Sequence, residues 1–186
     1  MKRVLCLCCI IFVLSGCAVP DRNMTKVLQL REQLIQGNGC AFQGEIVANY
    51  GAQIQRFAVE CRSDGDGNLQ FTVIAPESIS GISGEIRSDG GRLTFDDVVL
   101  GFPLLADGML SPVSAPWVFL KALRSGYITS CGKTETGIQV NVNDSYAENA
   151  LALEIWLNED ETPTYAEIIW QDSRVLSITL EDFQIL

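Results

Sequence analysis

From Asn23 to Gln36 the apolar residues Met24, Val27, Leu28, Leu34 and Ile35 recur at helical spacing, and Gly37 and Gly39 supply a stop. This pattern predicts one amphipathic helix. After Cys40 the period changes to two. Leu69, Phe71 and Val73 alternate with Gln70, Thr72 and Ile74; Ile138, Val140 and Val142 alternate with Gln139, Asn141 and Asn143. Leu151, Leu153, Ile155 and Leu157 alternate with Ala152, Glu154, Trp156 and Asn158, and the same holds from Val175 to Glu181. These are strands with one face more polar than the other. Turn residues separate them at Asp66-Gly67, Asp89-Gly90-Gly91, Thr136-Gly137, Asn158 to Pro163 and Asp172-Ser173. The spacing predicts about ten or eleven strands, and their short links favour an antiparallel meander over parallel crossovers.

One stretch breaks the alternation. Residues 98–125 read VVLGFPLLADGMLSPVSAPWVFLKALRS. Ser114 fits an N-cap, Pro116 a first turn and Gly126 a stop, so Trp117 to Arg124 is expected to be a short helix. The loop before it is apolar. If the sheet is curved, this insertion would cover its concave side, and Phe102, Leu104, Leu105, Met109, Leu110, Trp117 and Leu120 are the candidate liners of a site for an apolar ligand. The same residues would serve as a filled core beneath two helices, since Met and aromatic side chains fill irregular gaps.

Composition narrows the chemistry. The 186 residues suit one domain with a sizeable core, and a mean hydropathy of +0.19 excludes general disorder. Histidine is absent, which removes every mechanism that needs an imidazole base or ligand. A net charge of −10 argues against a nucleic-acid partner.

The N-terminus carries Lys2-Arg3, an apolar run from Val4 to Leu14, and then Ser15-Gly16-Cys17. That order is a secretory signal, and the run is too short for a membrane span of about 20 residues. Leu14-Ser15-Gly16-Cys17 resembles the bacterial lipobox. The resemblance implies cleavage before Cys17, lipidation of its thiol, acylation of the new amino group, and residence on the extracytoplasmic face of a cell membrane. The expected organisation is a signal peptide over 1–16, a lipidated Cys17 with a short tether to residue 22, and one domain over 23–186. Losing Lys2 and Arg3 takes the net charge to −12.

Of seven cysteines, Cys40, Cys61 and Cys131 remain in the domain body. Folding residues 40–61 about a Tyr50-Gly51 turn sets Cys40 across from Cys61. A bridge there would contribute about 3 kcal/mol in the loop-entropy model. The open alternative is three free thiols. No CxxC spacing supports a metal site.

The lipobox, the N-terminal helix, the long run of strands and the apolar helical insertion together resemble the LolA/LolB and LppX group of lipoprotein carriers. The stretches FTVIAPESISGISGEI and PTYAEIIWQDSRVLSITLEDFQI are similar to Firmicutes lipoproteins related to GerS. The resemblance implies a mostly β, α+β fold. Its core is one curved antiparallel sheet, a half-open barrel with helices on the concave face. It implies either carriage of a lipid or acyl chain, or docking of an envelope protein such as a cell-wall enzyme. It implies no cofactor.

Enzymatic readings find little footing. Asp64-Gly65-Asp66-Gly67-Asn68 begins like a calcium loop, but Leu69 stands where Gly is needed and Ala75 where Glu is needed. Asp96-Asp97 would point to opposite faces of a strand unless a turn intervenes, and Glu159-Asp160-Glu161 suits a charged hairpin loop. Ser80 to Gly84 has the small-residue texture of a hydrolase turn, with only Lys26, Lys121 or Lys133 left to serve as a base. The expectation is a protein without catalytic activity.

Overall fold

In the computed structural model, residues 21–51, 53–106, 109–147 and 150–186 are described, with side chains omitted over 105–109. Cys17 and the segment expected to be a signal peptide lie outside the described residues. Helix α1 spans Arg22–Gln36 and α2 spans Ala115–Ser125. The first strands are β1 (Cys40–Asn49), β2 (Ile54–Ser63), β3 (Leu69–Ala75), β4 (Ser83–Arg87), β5 (Gly90–Phe95) and β6 (Val98–Phe102). A small hairpin follows, β7 (Leu105–Ala106) and β8 (Met109–Leu110). The remainder are β9 (Tyr127–Lys133), β10 (Ile138–Asn143), β11 (Ala152–Leu157), β12 (Pro163–Trp170) and β13 (Ser173–Ile185).

Eleven strands form one antiparallel, curved and unclosed sheet in the order β6-β5-β4-β3-β2-β1-β13-β12-β11-β10-β9. Each strand pairs with its sequence neighbour, and β1 pairs with β13, so the two chain ends meet in the middle of the sheet. The free edges are therefore β6 and β9. The chain between them, residues 103–126, is the apolar insertion. It leaves one edge, passes through the β7–β8 hairpin and α2, and returns at the other edge.

Period-two burial turns one face of most strands toward the core. Ile138, Val140 and Val142 are buried on β10; Leu153, Ile155 and Leu157 on β11; Leu176, Ile178 and Leu180 on β13. The stripe of α1 is Val27, Leu30 and Leu34, while Leu28 and Ile35 face outward. Asp21 caps α1 by accepting from the Asn23 N–H at 2.9 Å. Ser114 stands at the α2 N-cap, but its hydroxyl donates to the Ser111 carbonyl at 2.6 Å, because a 3-10 turn (Pro112–Ser114) runs directly into the helix. The rings of Phe42, Phe119 and Phe183 cluster with centroids 5.7–6.4 Å apart and tie β1, α2 and β13 together.

Two arginines join the helices at their C-terminal ends. Arg31 of α1 donates to the carbonyls of Leu123 (2.6 Å) and Ala122 (3.2 Å) in the last turn of α2. Arg124 of α2 donates to the Leu34 carbonyl (2.9 Å) in the last turn of α1, and also to the Gly65 carbonyl. Each helix thus supplies the cation that its neighbour's C-terminus favours. Among the described residues no helix is long and apolar enough to cross a membrane.

The β1–β2 register corrects the cysteine pairing. The turn is four residues, closed by the Tyr50 N–H donating to the Gln53 carbonyl at 3.0 Å, rather than two residues at Tyr50-Gly51. The centre of the hairpin moves by one residue and every pairing by two. Phe42 faces Cys61, and Ser63 takes the place opposite Cys40. Cys40 and Cys61 are free thiols, as is Cys131. The Cys40 N–H donates to the Ser63 hydroxyl at 2.9 Å, which satisfies the buried serine.

Candidate hydrophobic-binding face

The inner face of the sheet is a set of rows running across the strands. Residues directly opposite in an antiparallel ladder share a face. One row runs Cys61–Phe71–Gly84–Leu93–Leu100 from β2 to β6. A second runs Ser63–Leu69–Ile86–Gly91–Phe102, and beside the first lies the pair Phe95–Val98. Along the first row exposure rises from 1% at Cys61 and 3% at Phe71, through half-buried Leu93, to 62% at Leu100. Phe95 and Val98 are 51% and 57% exposed.

The cause is the placement of the helices. α2 packs over β10, β12 and β13, and α1 over β9 and α2. The inner face of β5 and β6 extends beyond them. Leu93, Phe95, Val98 and Leu100 therefore form an uncovered apolar strip on the concave side. Continuous exposed apolar surface of this kind makes the strip the candidate site on this face.

The residues named from the sequence divide. Leu110, Trp117 and Leu120 are buried and belong to the core between α2 and the sheet. The Lys121 ammonium lies 5.2 Å from the Trp117 ring centroid. Phe102 and Leu104 are half-buried and pack at the margin of that core, next to the strip. The tip of the Phe102 ring lies against Gly91, where a methyl group would stand 2.1 Å from the ring's Cζ. Leu105 and Met109 sit in the β7–β8 hairpin, and their side chains lie outside those described. The hairpin is held by the Ser111 N–H donating to the Leu104 carbonyl at 3.0 Å, and by the Tyr50 hydroxyl donating to the Leu110 carbonyl.

Leu93, Phe95, Val98 and Leu100 escaped the sequence reading. The signal was present in Val98-Val99-Leu100, three consecutive apolar residues that supply no polar face to an edge strand.

The polar candidates fall elsewhere. Asp96 and Asp97 are the two-residue turn between β5 and β6, both with positive φ (46° and 63°), so they are turn residues and not members of a strand. Asp64 closes a turn, accepting from the Asn68 backbone N–H at 2.9 Å and from its side-chain amide at 2.8 Å. Desolvation pushes its carboxyl up, but these bonds and those from the Asp66 and Gly67 backbone outweigh that and hold it below the usual carboxylate range. Glu161 pairs with Lys26 of α1 at 2.5 Å, linking the β11–β12 loop to the helix. No group of three or more Cys, Asp or Glu is placed to hold a metal among the described residues. A cleft of about 570 Å³ opens on the outer face between Glu60, Arg62, Arg92 and Thr94, away from the strip.

No family model matches the chain, and no curated protein matches it. Solved structures of similar build include a LolA superfamily protein from Nitrosomonas europaea (9% identity, 88% of this chain and 93% of that one, TM-score 0.46). The Mycobacterium tuberculosis lipoprotein LppX is another (9% identity, 87% and 96%, TM-score 0.41). A third is found in the complex of the CwlD amidase from Clostridioides difficile with the GerS lipoprotein (12% identity, 89% and 97%, TM-score 0.42). At these scores the likeness says nothing about ligand or partner, and the fold rests on the strand order itself.

Proposed function

We propose that this chain is an extracytoplasmic lipoprotein, anchored through Cys17 and without catalytic activity, that holds an acyl chain or similar lipid against the inner face of β5 and β6. The observation that carries the reading is the strip of Leu93, Phe95, Val98 and Leu100, apolar and uncovered on the concave side of the sheet. Phe102 and Leu104 continue it, and Leu105 and Met109 follow in the adjoining hairpin. The lipobox supports the location. A tether over residues 18–22 reaches no more than about 18 Å, which keeps the body close to the bilayer. The resemblance to the LolA, LppX and GerS-like lipoproteins agrees with such a role.

A second reading is favoured by the openness of the strip: an envelope protein could cover it in place of a lipid. Extraction separates the two. The domain without residues 1–17, expressed in a lipid-rich host, is extracted with solvent and the extract analysed by mass spectrometry. An acyl lipid near one per chain, lost in Val98→Asp and Leu100→Asp at unchanged thermal stability, supports carriage. A lipid-free domain supports the protein partner.

A further inference from the structure

We infer that a cleft between α2 and the neighbouring strand turns holds the anionic headgroup, a phosphate or carboxylate, of the amphiphile whose tail lies on the inner strip. The ligand is then an acidic lipid rather than a neutral one. The inference rests on the proposal that a lipid occupies the strip, and adds where its polar end sits.

The cleft has a volume of about 390 Å³. Its walls are the β2–β3 turn at Asp66 and Asn68, the β4–β5 turn at Ser88, and Trp117, Lys121 and Arg124 of α2. Trp117 belongs to the core beneath α2, so the cleft opens on the helix side of the sheet, the side that carries the strip. Its place follows from the register. Ile86 of β4 lies opposite Gly91, and Gly91 opposite Phe102. Ser88 is the next residue of that face beyond Ile86. At ordinary strand spacings it stands on the order of 15 Å from Leu100, with Phe102 along the way, a span that one long acyl chain covers.

Charge selects the headgroup. The chain has 23 Asp and Glu against 13 Lys and Arg, so its cations have carboxylates to spare. Yet among the described residues no carboxylate pairs with Lys121; its ammonium lies over the Trp117 ring instead. Arg124 adds a second positive charge. Its contacts to the Leu34 and Gly65 carbonyls fix the guanidinium in the cleft wall without neutralising it. Asp66 is the one carboxylate among the lining residues, so two cations face one anion. The wall is also apolar, through Trp117 and through Ile35 of α1, which is 53% exposed. A free ion gains nothing from such a wall, whereas the head end of an acidic amphiphile meets both the charge and the apolar surface.

Photolabelling tests it. The full chain is mixed with phosphatidylcholine vesicles carrying a trace of hexadecyl phosphate with a diazirine in mid-chain, or of the matching alcohol. Labelled peptides are counted by mass spectrometry per probe bound to the vesicles. The phosphate should label β5 and β6 at least about threefold more than the alcohol, the preference that an exposed ion pair supplies. Lys121→Gln should bring the phosphate down to the alcohol, and Lys121→Arg should keep the difference. Lys121 is exposed, so both variants keep the fold, and alcohol labelling should be the same in each. Equal labelling by the two probes, or a preference that survives Lys121→Gln, overturns the inference and leaves the lipid on the strip standing. Labelling of the strip by neither probe overturns both. Calorimetric titration with inorganic phosphate separates the other source of the same chemistry. Saturable heat that is lost in Lys121→Gln, with the two probes alike on the strip, assigns the cleft to a free anion and overturns the headgroup.

Discussion

Cys40, Cys61 and Cys131 differ in surroundings more than in chemistry. Burial pushes the thiols of Cys40 and Cys61 up; at Cys40 the Ser63 hydroxyl and the Arg124 charge offset part of this, while at Cys61 the neighbouring Cys40 and Glu60 add to it. Burial also raises Cys131, with Asp21 adding to it, but that thiol is only half-buried. Since the thiolate is the reactive form, the native protein at pH 8 should label at Cys131 first, with Cys40 and Cys61 silent until denaturant is added. Mass spectrometry of alkylated peptides reads the order. Asp64 gives a pH signature. Its folded-state carboxyl lies below the unfolded value, so its contribution is present above the unfolded pKa and lost as the pH falls through the folded one. The thermal midpoint should drop on acidification below about pH 4, and less steeply in Asp64→Asn, because the residue is exposed and its share is screened. Gly39, at φ +129°, allows no substitute: a methyl group would lie 2.0 Å from the Ser63 carbonyl oxygen. Gly39→Ala should cost at least about 2 kcal/mol in chemical denaturation.

At the scale of elements, the two helices act as a unit through Arg31 and Arg124. Burial lowers the Arg31 pKa, yet its guanidinium meets two carbonyls at the negative end of α2. Arg31→Met and Arg124→Met keep the aliphatic stem and remove the donors. Each should cost about 1–2 kcal/mol, and the double variant less than the sum, because both fix the same helix pair. Urea denaturation of the four-member cycle measures the coupling. Much of this level was legible in the chain: the alternation over 138–143, 151–158 and 175–181 marks β10, β11 and β13 because those strands have one wetter and one dry face. Register was not. Whether Tyr50-Gly51 or Tyr50 to Gln53 makes the turn depends on one backbone hydrogen bond, and that choice placed Ser63, not Cys61, opposite Cys40.

At the scale of the molecule, a meander whose ends meet at β1 and β13 leaves its opening between β6 and β9, and the insertion crosses from one edge to the other. The insertion's apolar character pointed to the concave face, and Phe102 and Leu104 stand beside the strip there. Trp117 and Leu120 went to the core because α2 turns its apolar side onto the sheet. The strip itself depends on where the helices end over the sheet, a long-range property that no local pattern encodes. Val98 and Leu100 are more than half exposed and outside the buried core, so Val98→Asp and Leu100→Asp should leave the unfolding free energy within about 0.5 kcal/mol of wild type.

The central claim is that an apolar ligand lies on the inner face of β5 and β6, and the most direct measurement is a pair of tryptophan reporters titrated with a bromine-labelled fatty acid. Leu100→Trp places the indole on the inner strip and Thr94→Trp places it on the outer face. Saturable quenching of the first, with the second unaffected, is the result expected. Equal quenching of both, or quenching of neither, would contradict it.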